Sequence, residues 1–176
     1  MKSPARNRVF ALDLHPLSFG YAMFEGPDEL IDWGIKSFRL GVNAVKVPLN
    51  VKLASLVDDF RPDVLVIKKP RTGALKKMAR AITTLAEHRS IPVQTISGAS
   101  VRGAFPGENH NKYQIASVIA RRYPELSPRL GPRRKLWQAE KYSMSIFDAA
   151  AIGIAHFMSR PRMYGDLFDR MIVPPT

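Results

Sequence analysis

Residues 9–26 read VFALDLHPLSFGYAMFEG, and the interpretation of the whole chain turns on them. The apolar run Val9–Leu12 ends on Asp13, a short turn carrying Pro16 follows, and a second β-rich run returns over Phe19–Phe24. That pattern predicts a buried strand, a tight connection and an antiparallel partner. Asp13 then lies where a buried strand emerges, a costly place for a carboxylate unless a positive charge meets it. Two readings of it stand side by side. Either Asp13 opens an Asx turn ahead of Pro16, or it begins a metal site in the manner of several α/β hydrolytic folds.

Working outward, Glu29–Phe38 reads as a third strand, so residues 8–38 form a three-stranded meander. Pro48 can open a helix at its first turn; Val51, Leu53, Ala54, Leu56 and Val57 form its apolar stripe, and Arg61-Pro62 stops it. Asp63–Ile67 is a short continuous apolar run, typical of a strand covered on both faces. Gly73–His88 predicts a helix with Leu75, Met78, Ala79, Ile82, Leu85 and Ala86 on one side, and Ile91–Ile96 a fifth strand. Gly98–Phe105 is a short helix or turn carrying Arg102, Lys112–Arg122 a helix, and Pro124–Glu140 a loop. Ser143–Met158 is apolar nearly all round and predicts a buried helix with Asp148 as its only acid. Ser145-x-x-Asp148 also fits a capping box. Residues 159–176 read as a surface tail or a small appended element.

With 176 residues and 45% hydrophobic content, the chain suits one domain, residues 1–176, with its core at about 8–158. It has no cysteine, which excludes disulfides and thiolate metal sites. The basic start is followed by too few apolar residues for a signal peptide, and no run approaches a membrane span. A cytoplasmic protein with no membrane partner is the expectation. Lys and Arg number 27 against 15 Asp and Glu, a net charge of +12. Such an excess points to a polyanion, with nucleic acid first. The basic residues cluster: Lys68, Lys69, Arg71, Lys76, Lys77 and Arg80 fall in one stretch without an acid. Starting at a strand end and continuing down a helix, they would form a rigid ridge suited to phosphates; a solvated face is the plainer alternative. A second cluster, Arg129, Arg133, Arg134 and Lys135, lies beside Trp137 and suits distorted or single-stranded nucleic acid, unless Trp137 is a packing anchor. His15 reads as a turn residue that could reach the site, His156 as a satisfied core histidine, and His88 and His110 as surface residues.

The order β-β-β-α-β-α-β-α-α, with Asp13 on the first strand and Asp148 in the last long helix, resembles the ribonuclease H-like fold: a mixed five-stranded sheet with helices on both faces. Within it the chain resembles the RuvC type of Holliday-junction resolvase. LDLHPLSFGYAMFEG (12–26) is similar to that family's first motif, and Pro62–Ile67 to its fourth-strand motif. Val101-Arg102-Gly103 and Asn111-Lys112-Tyr113-Gln114-Ile115 resemble the segment carrying two basic residues near the active site. Ser145–His156 is similar to the closing Asp-Ala-rich helix. The resemblance implies phosphodiester hydrolysis by two Mg²⁺ or Mn²⁺ ions, with Asp13 and Asp148 as catalytic metal ligands if the site is active. It also implies DNA ahead of RNA as partner, and a homodimer on a two-fold junction.

Two positions depart from the family pattern. Where the family carries a glutamate after the fourth strand this chain has Lys68, and where it carries an acid or histidine three residues before the final aspartate it has Ser145. Two carboxylates and one ammonium leave a local charge of about −1 instead of −3 or −4, too little to hold two divalent ions. Only Glu108 and Glu140 lie where they could substitute. The preferred expectation is therefore a RuvC-like nucleic-acid-binding protein with a degenerate site and no cofactor. In it Lys68 sits between Asp13 and Asp148 as counter-charge, and Lys68, Lys69, Arg71, Lys76, Lys77, Arg80, Arg102 and Lys112 meet phosphates. The alternatives are a working metal-dependent junction endonuclease and a ribonuclease H-like protein-interaction domain.

Overall fold

Arg8–His15 (β1) and Ser18–Glu25 (β2) form the anticipated hairpin, closed at Pro16-Leu17. Leu30–Ser37 (β3) completes the antiparallel meander. After a helix over Leu49–Phe60 (α1), Val64–Lys68 (β4) returns parallel to β1. After a second helix over Gly73–Glu87 (α2), Val93–Ile96 (β5) lies parallel to β4. The sheet order is β3-β2-β1-β4-β5. The remaining helices are Gly98–Gly103 (α3), Lys112–Arg122 (α4), Ser127–Leu130 (α5) and Met144–Met158 (α6). This computed structural model describes residues 7–38, 48–107, 111–133, 135 and 142–160. Glu108, His110, Arg134, Trp137, Glu140 and most of the expected tail fall outside the described residues. Within them, no helix is long and apolar enough to cross a membrane.

The segment read as a loop from Pro124 begins instead with a 3-10 turn (Pro124–Leu126) and the short α5. Pro124 and Pro128 lie in the first turn of each piece, where a missing N–H costs no hydrogen bond. Prolines that look like breakers here act as starters.

Alternation along the strands divides the core into two layers. Val9, Ala11, Ala22, Phe24, Val64 and Val66 face α4 and α6. Phe10, Leu12, Phe19, Tyr21, Met23, Leu65 and Ile67 face α1 and α2. With both faces covered, β1, β2 and β4 need no polar side, which is why they read as unbroken apolar runs. Helix α6 is buried nearly throughout, and small residues let it lie close to the sheet. A Cβ at Gly153 would fall 2.4 Å from the Phe24 ring.

His156 is fully buried on α6, as expected, but neither ring nitrogen finds a hydrogen-bond partner among the described residues. Burial, helped by Arg160, pushes its pKa down to about 4. Unfolding restores the ordinary value near 6.5. The neutral ring therefore contributes stability at neutral pH that is lost as pH falls from 6.5 through about 4. In urea unfolding followed by circular dichroism, a His156→Leu variant should lose less stability than the wild type between those pH values. Gly153→Ala, by driving a methyl group into the Phe24 ring, should cost about 1–3 kcal/mol in the same assay at neutral pH.

Candidate functional site

The period of two along β1 places Asp13 and His15 on the same face as Val9 and Ala11, toward α6. The β1–β4 register runs from Val9↔Val64 to Leu12↔Ile67, so one further step sets Lys68 alongside Asp13. On the other side Asp13 pairs with Gly20 of β2. A Cβ at Gly20 would lie 2.3 Å from the carbonyl oxygen and Oγ of Ser145. Glycine at this point lets the first turn of α6 settle onto the hairpin. Asp148 follows one turn later, and Lys112, the first residue of α4, reaches across to it.

Asp13, His15, Lys68, Lys112 and Asp148 meet at one cleft of about 720 Å³, with Ser145 behind Asp13. Asp13 is 2% exposed. Its Oδ2 is hydrogen-bonded to His15 Nε2 at 2.7 Å and accepts the Ser145 hydroxyl at 2.9 Å. Its Oδ1 is 3.7 Å from the Lys68 ammonium. The Lys112 ammonium donates to Asp148 Oδ2 at 2.9 Å. Burial opposes ionisation of Asp13, but the hydrogen bond and charge of His15, with Lys68 and Ser145, outweigh it and hold its pKa below the ordinary carboxylate value. The bond to Asp13 raises the pKa of His15, with attraction from Asp13 and Asp148 working against burial and Lys112. For Asp148, burial and the nearby Asp13 charge win over Lys112 and Lys68, so its pKa is raised.

Several expectations are corrected. Asp13 opens no Asx turn: β1 continues two residues beyond it, and its oxygens face His15, Ser145 and Lys68. His15 is a ligand of that carboxylate, not merely a turn residue; the signal was the Asp-x-His spacing, which on a strand puts both side chains on one face. The capping box fails because α6 starts at Met144, which leaves Ser145 inside the helix with its hydroxyl on Asp13. Lys68 contacts Asp13, but the direct partner of Asp148 is Lys112. The cause is topological: β4 delivers Lys68 beside β1, while α6 turns Asp148 toward the start of α4.

The basic residues divide. Lys68, Lys69, Arg71, Arg102 and Lys112 line the cleft. Guanidinium nitrogens of Arg102 and Arg71 lie 3.6 and 4.0 Å from where a Cβ on Gly98 would be, so both approach the same point. Lys76, Lys77 and Arg80 are exposed on α2, outside the cleft lining. Among the described residues no three of His, Asp or Glu gather closely enough for a metal ion. The carboxylates that could ligate one instead face ammonium and imidazole groups.

A mixed five-stranded sheet ordered 3-2-1-4-5 with helices on both faces is the ribonuclease H-like class of α/β fold. Solved structures of similar shape include Holliday-junction resolvases. Thermus thermophilus RuvC bound to Holliday junction substrate superposes with a TM-score of 0.63 at 16% identity, covering 87% of this chain and 94% of that one. A second T. thermophilus RuvC structure gives 0.63 at 16%, covering 89% and 97%. The fowlpox virus Holliday junction resolvase gives 0.50 at 13%, covering 86% and 98%. No family model and no curated protein matches the sequence, so the likeness is one of structure. The fold is thus the RuvC form of the ribonuclease H-like architecture.

The Asp13–His15 bond has a direct readout. In an NMR pH titration, His15 should titrate above the ordinary imidazole value, and Asp13→Asn should bring it down toward that value.

Proposed function

We propose that the protein binds nucleic acid, structured or branched DNA ahead of RNA, through a RuvC-type cleft whose metal-dependent nuclease site is degenerate. The observation that carries this reading is the pairing of the buried Asp13 and the partly buried Asp148 with basic side chains, the Lys68 ammonium and His15 imidazole on Asp13 and the Lys112 ammonium on Asp148. A divalent ion about 4 Å from an ammonium meets a repulsion of roughly 8 kcal/mol at an effective dielectric near 20. Two such ions need several converging carboxylates, and the donor set here does not fit them. Phosphate binding has no such requirement: Lys68, Lys69, Arg71, Arg102 and Lys112 act in the cleft, and Lys76, Lys77 and Arg80 extend the positive surface along α2. A homodimer presenting two clefts to a two-fold junction belongs to the same reading. Four-way DNA is the natural probe, because a neighbouring fold was solved on such a substrate.

One observation favours an active nuclease instead: Asp13 and Asp148 share the cleft. In that case Asp13 and Asp148 would hold Mg²⁺ or Mn²⁺ and catalyse strand hydrolysis.

The two readings separate cleanly. The protein should bind a four-way junction in EDTA, with affinity falling steeply as salt rises, and should leave the strands intact in Mg²⁺ or Mn²⁺. Cleavage abolished by Asp13→Asn would establish the active reading. Isothermal titration of the wild type with Mn²⁺ should show no tight site, whereas Lys68→Glu should create one.

A further inference from the structure

We infer that Asp13 and Asp148 are positioning residues for a phosphodiester seat formed by the Lys68 and Lys112 ammonium groups on the floor of the cleft. The inference rests on the nucleic-acid-binding reading and deepens it by assigning the two acids a role without metal.

The acids lie deeper than the cations. The Asp13 and Asp148 side chains are 4% and 19% exposed, whereas Lys68 and Lys112 are 43% and 54% exposed. A ligand entering the cleft meets ammonium groups first and finds the carboxylates behind them. That layering suits an oxyanion and opposes a cation. The buried Ser145 hydroxyl and the half-exposed His15 ring on the cleft wall both engage Asp13 Oδ2, so that oxygen already has its partners.

The acids also hold the cations in place. A lysine side chain forfeits much of its rotamer freedom when fixed. An ammonium already held by a carboxylate has lost part of that freedom before the ligand arrives, and an ammonium has three donors to distribute. Lys112 is held at 2.9 Å and Lys68 at 3.7 Å. The acids thus oppose phosphate by charge and favour it by order. Being the deeper groups, they act at longer range on the ligand than the lysines they hold, so order prevails.

This makes a prediction of sign. A bystander acid near a phosphate weakens binding, and neutralising it strengthens binding. A positioning acid does the reverse. The experiment measures affinity for a fluorescent four-way DNA junction in EDTA across a salt series. Asp148→Asn should bind about fivefold more weakly although it removes a negative charge, and the slope of log K against log salt should shrink by about one contact. Lys112→Met should do the same. The double variant Asp148→Asn/Lys112→Met should be no weaker than either single, and Asp148→Glu should restore most of the affinity. Asp59→Asn, on α1 at the far end of β4, should bind as well as the wild type or better. Tighter binding by Asp148→Asn, or additive losses in the double variant, overturns the inference while leaving the nucleic-acid reading intact. Absence of salt-dependent binding by the wild type overturns both. If Asp148→Asn does not fold, Lys112→Met decides alone: an unchanged salt slope overturns the seat.

Discussion

The contact on which the site depends is the buried carboxylate of Asp13. It is bonded to the His15 ring and the Ser145 hydroxyl and faces the Lys68 ammonium. These groups belong to β1, α6 and β4, so one side chain couples the hairpin, the closing helix and the crossover strand. A carboxylate at this depth persists as an ion only because donors surround it, and its lowered pKa expresses that balance. Removal of any partner would leave a buried charge short of compensation, which costs more than the lost bond alone.

Sheet topology explains why the cationic groups collect where they do. β1, β4 and β5 run parallel, and their carboxyl ends open together with the start of α2 and α3. Lys68 ends β4, Lys69 and Arg71 follow it, and Arg102 lies on α3 after β5. Crevices beyond the carboxyl ends of parallel strands are where open α/β sheets receive ligands. The positive residues therefore gather through chain direction and not through sequence clustering alone. The same logic leaves Lys76, Lys77 and Arg80 on the outer side of α2, as a flank of the cleft and not part of its lining.

Much of this was legible in the linear sequence. The β1–β2 hairpin, the two-sided burial of β4 and the limits of α4 follow from apolar spacing, and Asp13 and Asp148 stood out as acids in apolar surroundings. Other features were hidden for definable reasons. The role of His15 was obscured because Pro16 marks a turn and draws the preceding histidine into it, whereas the strand runs through His15. The Lys112–Asp148 pair joins residues 36 apart in the chain and depends on how α4 packs against α6. Ser145 resembled a cap because its spacing to Asp148 suits one, and only the start of α6 at Met144 removes that option. Local pattern identified the groups; tertiary packing decided their partners.

The close approach of Ser145 to Gly20 limits how this cleft can change. Position 68 opens to solvent and can exchange its side chain without steric conflict, at an electrostatic cost to Asp13. Position 145 is hemmed in by the backbone of β2, with room for little more than a hydroxyl while its neighbours stay as they are. Change at the two positions would then be lopsided: one lies open at the rim, while enlarging the other demands that a helix be lifted off a hairpin.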